Sequence, residues 1–361
     1  MGRQSTPGTR VFQEFKRMIA SRFESIGVYL PEKEVTTQSL VSSMETQPMF
    51  DLEKLTGVKS RRWRSDSEDC HTLAMSAIER CLHQSHYRAD DIDVIVCTSI
   101  TRFTGGLRFA LEPGLSATLK NTLGMRRNAL NFDITNACAG MFTGVYLMDQ
   151  MIKSGAEKTG LVVSGECITP ITETALKEIN NPIDEQFASL TVGDSGAAVI
   201  MDRSVNEHSR LNFLELFTLA EFSEFCFGMP SNKNPGVAMY TKAMEIHATV
   251  IQRLPSFLGQ FAERYQVSGI DFQHVIPHQT SERAIRTALE LCSETFGDIP
   301  HICVSLDKFG NTSSTSHFVV LDDQMRQGII KPGDNVLMLI LASGIILGAA
   351  SVTVGNLGGI N

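Results

Sequence analysis

The stretch NFDITNACAGMFTG, residues 131–144, carries an apolar strand pattern into a cysteine and then into a helical pattern, with Cys138 at the junction. A cysteine in the first turn of a helix meets unpaired backbone N–H groups and the positive end of the helix dipole, which favour thiolate over thiol. The position therefore predicts a nucleophile. Ala137, Ala139 and Gly140 leave room for a substrate carbonyl and for backbone donors aimed at it. The following helix, 141–154, bears Phe142, Val145, Tyr146, Met148, Met151 and Ile152, a stripe wide enough for nearly full burial. Taken alone, Cys138 reads more readily as an ordinary core cysteine, the commoner fate of such a residue.

Working outward, residues 23–31 read as a strand, 35–44 as a helix, 70–85 as a helix and 91–100 as a buried strand. Between them 56–63, TGVKSRRW, is a basic turn whose Lys59, Arg61, Arg62 and Trp63 fit a solvated face or a grip for phosphate or an acidic carrier protein. A further helix is expected to start near Glu112 or Pro113. Beyond the Cys138 helix lie a buried strand at 160–169, a polar excursion at 170–189 long enough for a lid or subunit contact, and a glycine-bearing strand at 191–202. The second half repeats the plan: strand 211–218, helix 240–265, strand 272–280, strand 336–346 and strand 348–354. The organisation expected is an arm at 1–20, one half at 21–205 and a similar half at 206–361, in layered α/β architecture.

The 361 residues carry a net charge of −8, which lacks the electrostatic footprint of a nucleic-acid-binding protein. Eight cysteines without CxxC spacing point to a reduced cytoplasm and no structural zinc. The longest apolar run, 336–350, is broken by Ser343, Gly344 and Gly348, so no membrane span is expected.

Two further residues stand at strand ends comparable to that of Cys138: His278 in VIPHQT and Asn311 in DKFGNTSS. Loops at strand ends are where α/β folds gather their chemistry. A thiolate accepts an acyl group from a thioester, while a histidine and an asparagine amide donate hydrogen bonds to a second thioester carbonyl and stabilise the attacking enolate. The plainer readings are that His278 caps a helix and that Asn311 occupies a left-handed turn.

The motifs TNACAG around Cys138, IPHQTSERAI around His278, DKFGNTSSTS around Asn311, GDSGAA at 193–198 and SGIILGA near the end together resemble the thiolase-fold condensing enzymes of the β-ketoacyl-ACP synthase III group. The resemblance runs from about residue 23 to 354. It implies a five-layered αβαβα fold of two pseudo-duplicated halves, a homodimer, no cofactor or metal, and acyl thioesters and an acyl carrier protein as partners. It implies that Cys138 is acylated, that His278 and Asn311 activate the second substrate, that the N–H groups of Cys138 and Gly344 form the oxyanion hole, and that Arg283 docks the carrier.

The chain departs from the group's housekeeping member at the tryptophan and arginine that hold the CoA adenine, whose places fall near Asp51 and Leu55, and at an asparagine whose place falls at Ser281. The NAC sequence and ALEPG segment more closely resemble the branch that joins two long acyl chains, as in head-to-head olefin, pyrone and resorcinol pathways. In that branch a glutamate enters the partner subunit's active site, and Glu112 matches it. The expected function is a Claisen condensation between a Cys138-bound acyl group and a second thioester, in fatty acid or polyketide-type metabolism. Two rivals are acyl transfer to an alcohol or amine, which can dispense with Asn311, and a non-catalytic partner subunit, which would most often lack Cys138.

Overall fold

Alternation along one strand sets the layering. Within VIVC, Val94 and Val96 belong to a central apolar cluster, whereas Ile95 and Cys97 belong to a second cluster on the opposite face. A strand buried on both faces has a helix layer on each side, which explains its unbroken apolar run. The computed structural model describes residues 19–105 and 108–357, so the expected arm at 1–20 falls outside it except for its last two residues.

The first sheet contains β1 (Ser21–Tyr29), β2 (Val94–Cys97), β3 (Leu130–Asp133), β4 (Gly160–Glu166) and β5 (Ser195–Arg203), in the order β1-β5-β4-β2-β3. The second contains β6 (Arg210–Thr218), β7 (His274–Pro277), β8 (His301–Ile302), β9 (Asn335–Ala342) and β10 (Ile346–Thr353), in the order β6-β10-β9-β7-β8. The two orders are one topology used twice. In each sheet the strands next to the far edge pair in parallel, and the remaining pairs are antiparallel.

Helices α1 (Cys70–Gln84) and α2 (Leu115–Thr122) cover the outer face of the first sheet. Helices α3 (Gly140–Ser154) and α6 (Ser316–Arg326) lie between the sheets, and α4 (Ala243–Tyr265) with α5 (Glu282–Phe296) covers the outer face of the second. Helix, sheet, helix, sheet, helix: this is the five-layered αβαβα fold of two similar halves. Its middle layer is the densest in buried side chains, with Phe142, Met148 and Phe318 all fully enclosed.

Close approach of α1 to the first sheet depends on glycine. A Cβ at Gly196 would sit 2.1 Å from the Leu73 carbonyl oxygen, on the helix backbone itself. Gly196→Ala is therefore expected to cost about 3 kcal/mol through overpacking, read as a lower midpoint in urea with an unchanged slope.

Four sequence readings are corrected. The basic turn is a strand, Ser60–Trp63, paired with Lys33–Thr36. Its Arg61 is wholly buried and donates to the Val35 carbonyl, Thr37 Oγ1 and the Leu190 carbonyl, at 3.2, 2.9 and 2.6 Å. Arg61 binds loops together and is closed to carriers. The polar excursion is a folded element, a helix Thr169–Glu178 and a 3-10 segment Glu185–Thr191, because its polar groups find partners inside: Thr172 Oγ1 donates to the Ser189 carbonyl at 2.6 Å.

Helix α2 starts at Leu115, later than expected, where the Asp133 carboxylate accepts from the Leu115 and Ser116 N–H groups at 2.8 Å each. The long helix of the second half starts at Ala243, after a hairpin of Cys226–Pro230 with Val237–Thr241 whose last two residues the sequence reading placed in the helix. On α3 the burial is nearly complete except for a stripe through Tyr146, which is exposed.

Candidate active site

Cys138 lies in a 3-10 turn, Ala137–Ala139, between the C-terminal end of β3 and α3. Asn136 Nδ2 ties this turn to the helix by donating to Thr143 Oγ1 at 2.8 Å. Ala137 holds φ = 45°, a left-handed conformation that costs a non-glycine residue about 1–2 kcal/mol. Facing it, Ser313 holds φ = 58° and brings its Oγ to 3.8 Å from the Cys138 Sγ. Such strain concentrates where a geometry is being imposed. The two strained residues bracket one sulfur.

The charge state expected from the helix dipole is reversed. Burial pushes the Cys138 thiol up to about 12, and the Ser313 hydroxyl offsets this only in part. The residue precedes α3 instead of lying in its first turn, so desolvation of the thiolate outweighs the dipole. Cys138 rests as a neutral thiol.

His278 follows Pro277 at the end of β7, with its backbone N–H donating to the Leu339 carbonyl at 2.9 Å. It does not cap a helix: α5 starts at Glu282 behind Ser281, whose Oγ accepts from the Ala284 N–H. The imidazole is buried and stacks on His317 with centroids 5.8 Å apart. His317 in turn bonds the Leu339 carbonyl through Nε2 at 2.9 Å and packs edge-on against Phe142 of α3. Burial, with the neighbouring His317, lowers the His278 pKa to about 3. His278 is thus neutral across the physiological range.

Asn311 joins the two halves. Its N–H donates to the Thr191 carbonyl at 2.9 Å and its carbonyl accepts from the Gly193 N–H at 3.0 Å. The left-handed residue of this turn is Gly310, φ = 65°, where a Cβ would lie 2.5 Å from the Thr191 oxygen. The plainer reading of Asn311 is thereby removed. Its Oδ1 accepts from the Ser313 N–H at 2.9 Å, which orients the amide without ambiguity, and Nδ2 has no partner among the described residues. Segment 311–317 therefore touches the Cys138 sulfur through Ser313 and the His278 ring through His317.

Gly344 sits in the turn that follows β9, the strand packed against the Cys138 turn, and its N–H has no hydrogen-bond partner among the described residues. Beneath Ser313, Ser314 Oγ donates to the buried Glu166, whose pKa burial raises to about 7. Ser313, His317 and Glu166 escaped the sequence reading. Only the repeated hydroxyls and the histidine of GNTSSTSH could have signalled the first two.

Glu112 is exposed, on a loop beside exposed Phe109 and Leu111, and nothing in the chain binds its carboxylate among the described residues. The single chain does not bring it to Cys138. Its plainer role of complementing a helix dipole belongs to Asp133 instead. Arg283 is exposed in the first turn of α5 with no ion pair among the described residues. Ser281 is buried, and its Oγ donates to the Leu55 carbonyl at 3.1 Å, while Asp51 caps the short helix Leu52–Thr56.

Two similar halves in five layers, with a cysteine, a histidine and an asparagine carried on loops where the halves meet, define a thiolase-fold condensing enzyme. Residues 132–218 match the 3-oxoacyl-[acyl-carrier-protein] synthase III family, and 262–354 match the C-terminal region of the same synthase III. The β-ketoacyl-[acyl-carrier-protein] synthase III of Listeria monocytogenes is 29% identical over 334 residues, covering 92% of this chain and 98% of that protein. Among solved structures, a variant of OleA from Xanthomonas campestris superposes with a TM-score of 0.80 at 20% identity, covering 93% of this chain and 99% of that one. The synthase III of Aquifex aeolicus superposes with a TM-score of 0.76 at 23% identity, covering 92% and 99%. The chain is a thiolase-fold condensing enzyme similar to the β-ketoacyl-ACP synthases III. It is a condensing acyltransferase of fatty acid biosynthesis. No helix among the described residues is long and apolar enough to cross a membrane.

Proposed function

We propose that Cys138, His278 and Asn311 divide the two stages of the condensation. In acylation, Sγ of Cys138 attacks a thioester carbonyl while His278 takes the thiol proton and returns it to the departing thiol. The N–H groups of Cys138 and Gly344 receive the oxyanion. In condensation, His278 and Asn311 bind the carbonyl oxygen of the second thioester, and its α-carbon attacks the acyl-cysteine to form the carbon–carbon bond, releasing the Cys138 sulfur. The observation that supports this reading best is the proton inventory: a thiol and an imidazole that are both neutral at rest, beside an amide whose donor end has no partner among the described residues. Transfer of the thiol proton then happens only as the bond forms.

A homodimer fits the exposed edge of the first sheet. Strand β3 leaves Leu130 and Phe132 exposed there, with Phe109, Leu111 and Tyr146 forming further apolar surface. An open edge of this kind invites a second copy. Glu112 then serves as the base that removes the α-proton of a non-carboxylated donor in the second copy's site. Donors borne on a carrier protein are favoured, since Ser281 and Asp51 are spent on helix caps. Arg283, a cation opposing its own helix dipole, gains a partner from an acidic carrier.

Intact-mass spectrometry with matched acyl-CoA and acyl-carrier thioesters tests the donor: the carrier-borne thioester should acylate faster. Glu112→Gln should acylate at the wild-type rate, yet lose condensation with plain acyl donors by about 100-fold or more. Full condensation by Glu112→Gln, or dependence of the wild type on a malonyl donor with release of carbon dioxide, points to the decarboxylating reaction instead.

A further inference from the structure

Three metal-ligating side chains converge at the other end of the strand that carries His278. The ligand atoms of His274, His301 and Cys303 all lie within 4.8 Å of one another. Parallel pairing of β7 with β8 sets His274 opposite His301, and the two-residue period brings Cys303 onto the face of His301. His274 and Cys303 are buried, and His301 is exposed on the edge strand.

His274 is the informative member. Its Nε2 lies 3.2 Å from Asp334 Oδ2, a carboxylate held in place by the Lys331 N–H at 2.8 Å. Its Nδ1 is buried with no hydrogen-bond partner, an arrangement that costs about 1–3 kcal/mol unless something occupies that nitrogen. One ring nitrogen on a carboxylate and the other free is how proteins present a histidine to a metal.

We propose that His274 Nδ1, His301 and Cys303 Sγ form a binding site for a zinc-class divalent cation, with Asp334 orienting His274 from behind. Two imidazoles and a thiolate suit a borderline-soft ion in tetrahedral geometry, leaving a fourth position for water. Tetrahedral zinc holds such ligand atoms about 3.3–3.8 Å apart, a closure that rotation of the exposed His301 supplies. The ion replaces the Cys303 thiol proton, which passes to solvent. Access comes from a cleft of about 1040 Å³ that His301 lines together with Val304, Gln324 and Gln327. A bound ion would fasten edge strand β8 to β7, four residues upstream of His278. Cysteine spacing within one segment could not show this site, because its ligands come from two.

Cobalt(II) is the probe, added to full-length protein previously dialysed against chelator. The wild type and Cys138→Ala should both give a thiolate-to-cobalt charge-transfer band in the near ultraviolet, saturating at one ion per chain and lost on adding zinc. Cys303→Ala should lack the band, and His301→Ala, altered only at an exposed side chain, should bind at least about tenfold more weakly. A wild type without the band, a band that persists in Cys303→Ala, or unchanged affinity in His301→Ala overturns the site. If Cys303→Ala fails to fold, His301→Ala decides alone.

Discussion

Cys138→Ala should form no acyl-enzyme with any thioester and lose turnover by at least about 10⁴-fold, the scale seen when a nucleophile is deleted from a working site. Peptide mapping of the wild type should place the whole label on Cys138, because the other seven cysteines lack a neighbouring left-handed residue. A sharper version of the same test concerns pH. With the thiol pushed up to about 12, the thiolate fraction at pH 7 is about 10⁻⁵, and alkylation by iodoacetamide should rise tenfold per pH unit from 7 to 10 without levelling off. The sign follows from burial: desolvation favours the neutral form of an acid, so reactivity toward a simple electrophile is gained only as the pH climbs. His278, lowered to about 3, is already neutral throughout this range, so His278→Ala should leave the alkylation profile in place while slowing acylation by thioesters. A wild-type profile that levels off near pH 7 would restore the thiolate expected from the helix dipole.

That contrast marks how far the sequence could be read. Strands were legible because burial on both faces leaves unbroken runs such as VIVC and VLMLILA, and because the same order of elements recurs in the second half. The nucleophile's place was legible as a strand running into a helix. Its protonation state was not, since it follows from burial of the sulfur in the folded chain, which the distant Ser313 hydroxyl offsets only in part. Arg61 misled for a related reason: three charges and a tryptophan read as surface, whereas three acceptors from two distant segments meet its guanidinium inside. The polar run 170–189 reads as a lid or subunit contact because its satisfaction is equally remote, with Glu178 accepting from Ser231 and Asn234 of the later hairpin loop. Periodicity reports which face of an element is apolar and is silent on partners a hundred residues away.

Asn311→Ala should separate the two stages: acylation of Cys138 within a few-fold of wild type, and condensation slower by about 10²–10³. Nδ2 is the reason, since it has no partner among the described residues while Oδ1 is committed to the Ser313 N–H. Alanine also deletes Oδ1, which accepts from the Ser313 N–H, and Ser313 is the residue whose hydroxyl meets the Cys138 sulfur. A purely structural role would therefore disturb acylation as well. Asn311→Asp resolves the two roles. Its carboxylate keeps an oxygen for the Ser313 N–H, so the turn and the acylation step should survive. It replaces the donor with a second acceptor carrying negative charge, which repels the developing enolate where the amide would have stabilised it. Asp should thus condense no better than Ala while acylating more like the wild type. Condensation by Asn311→Asp at the wild-type rate would remove the amide from the chemistry and leave Asn311 as a clasp between the two halves.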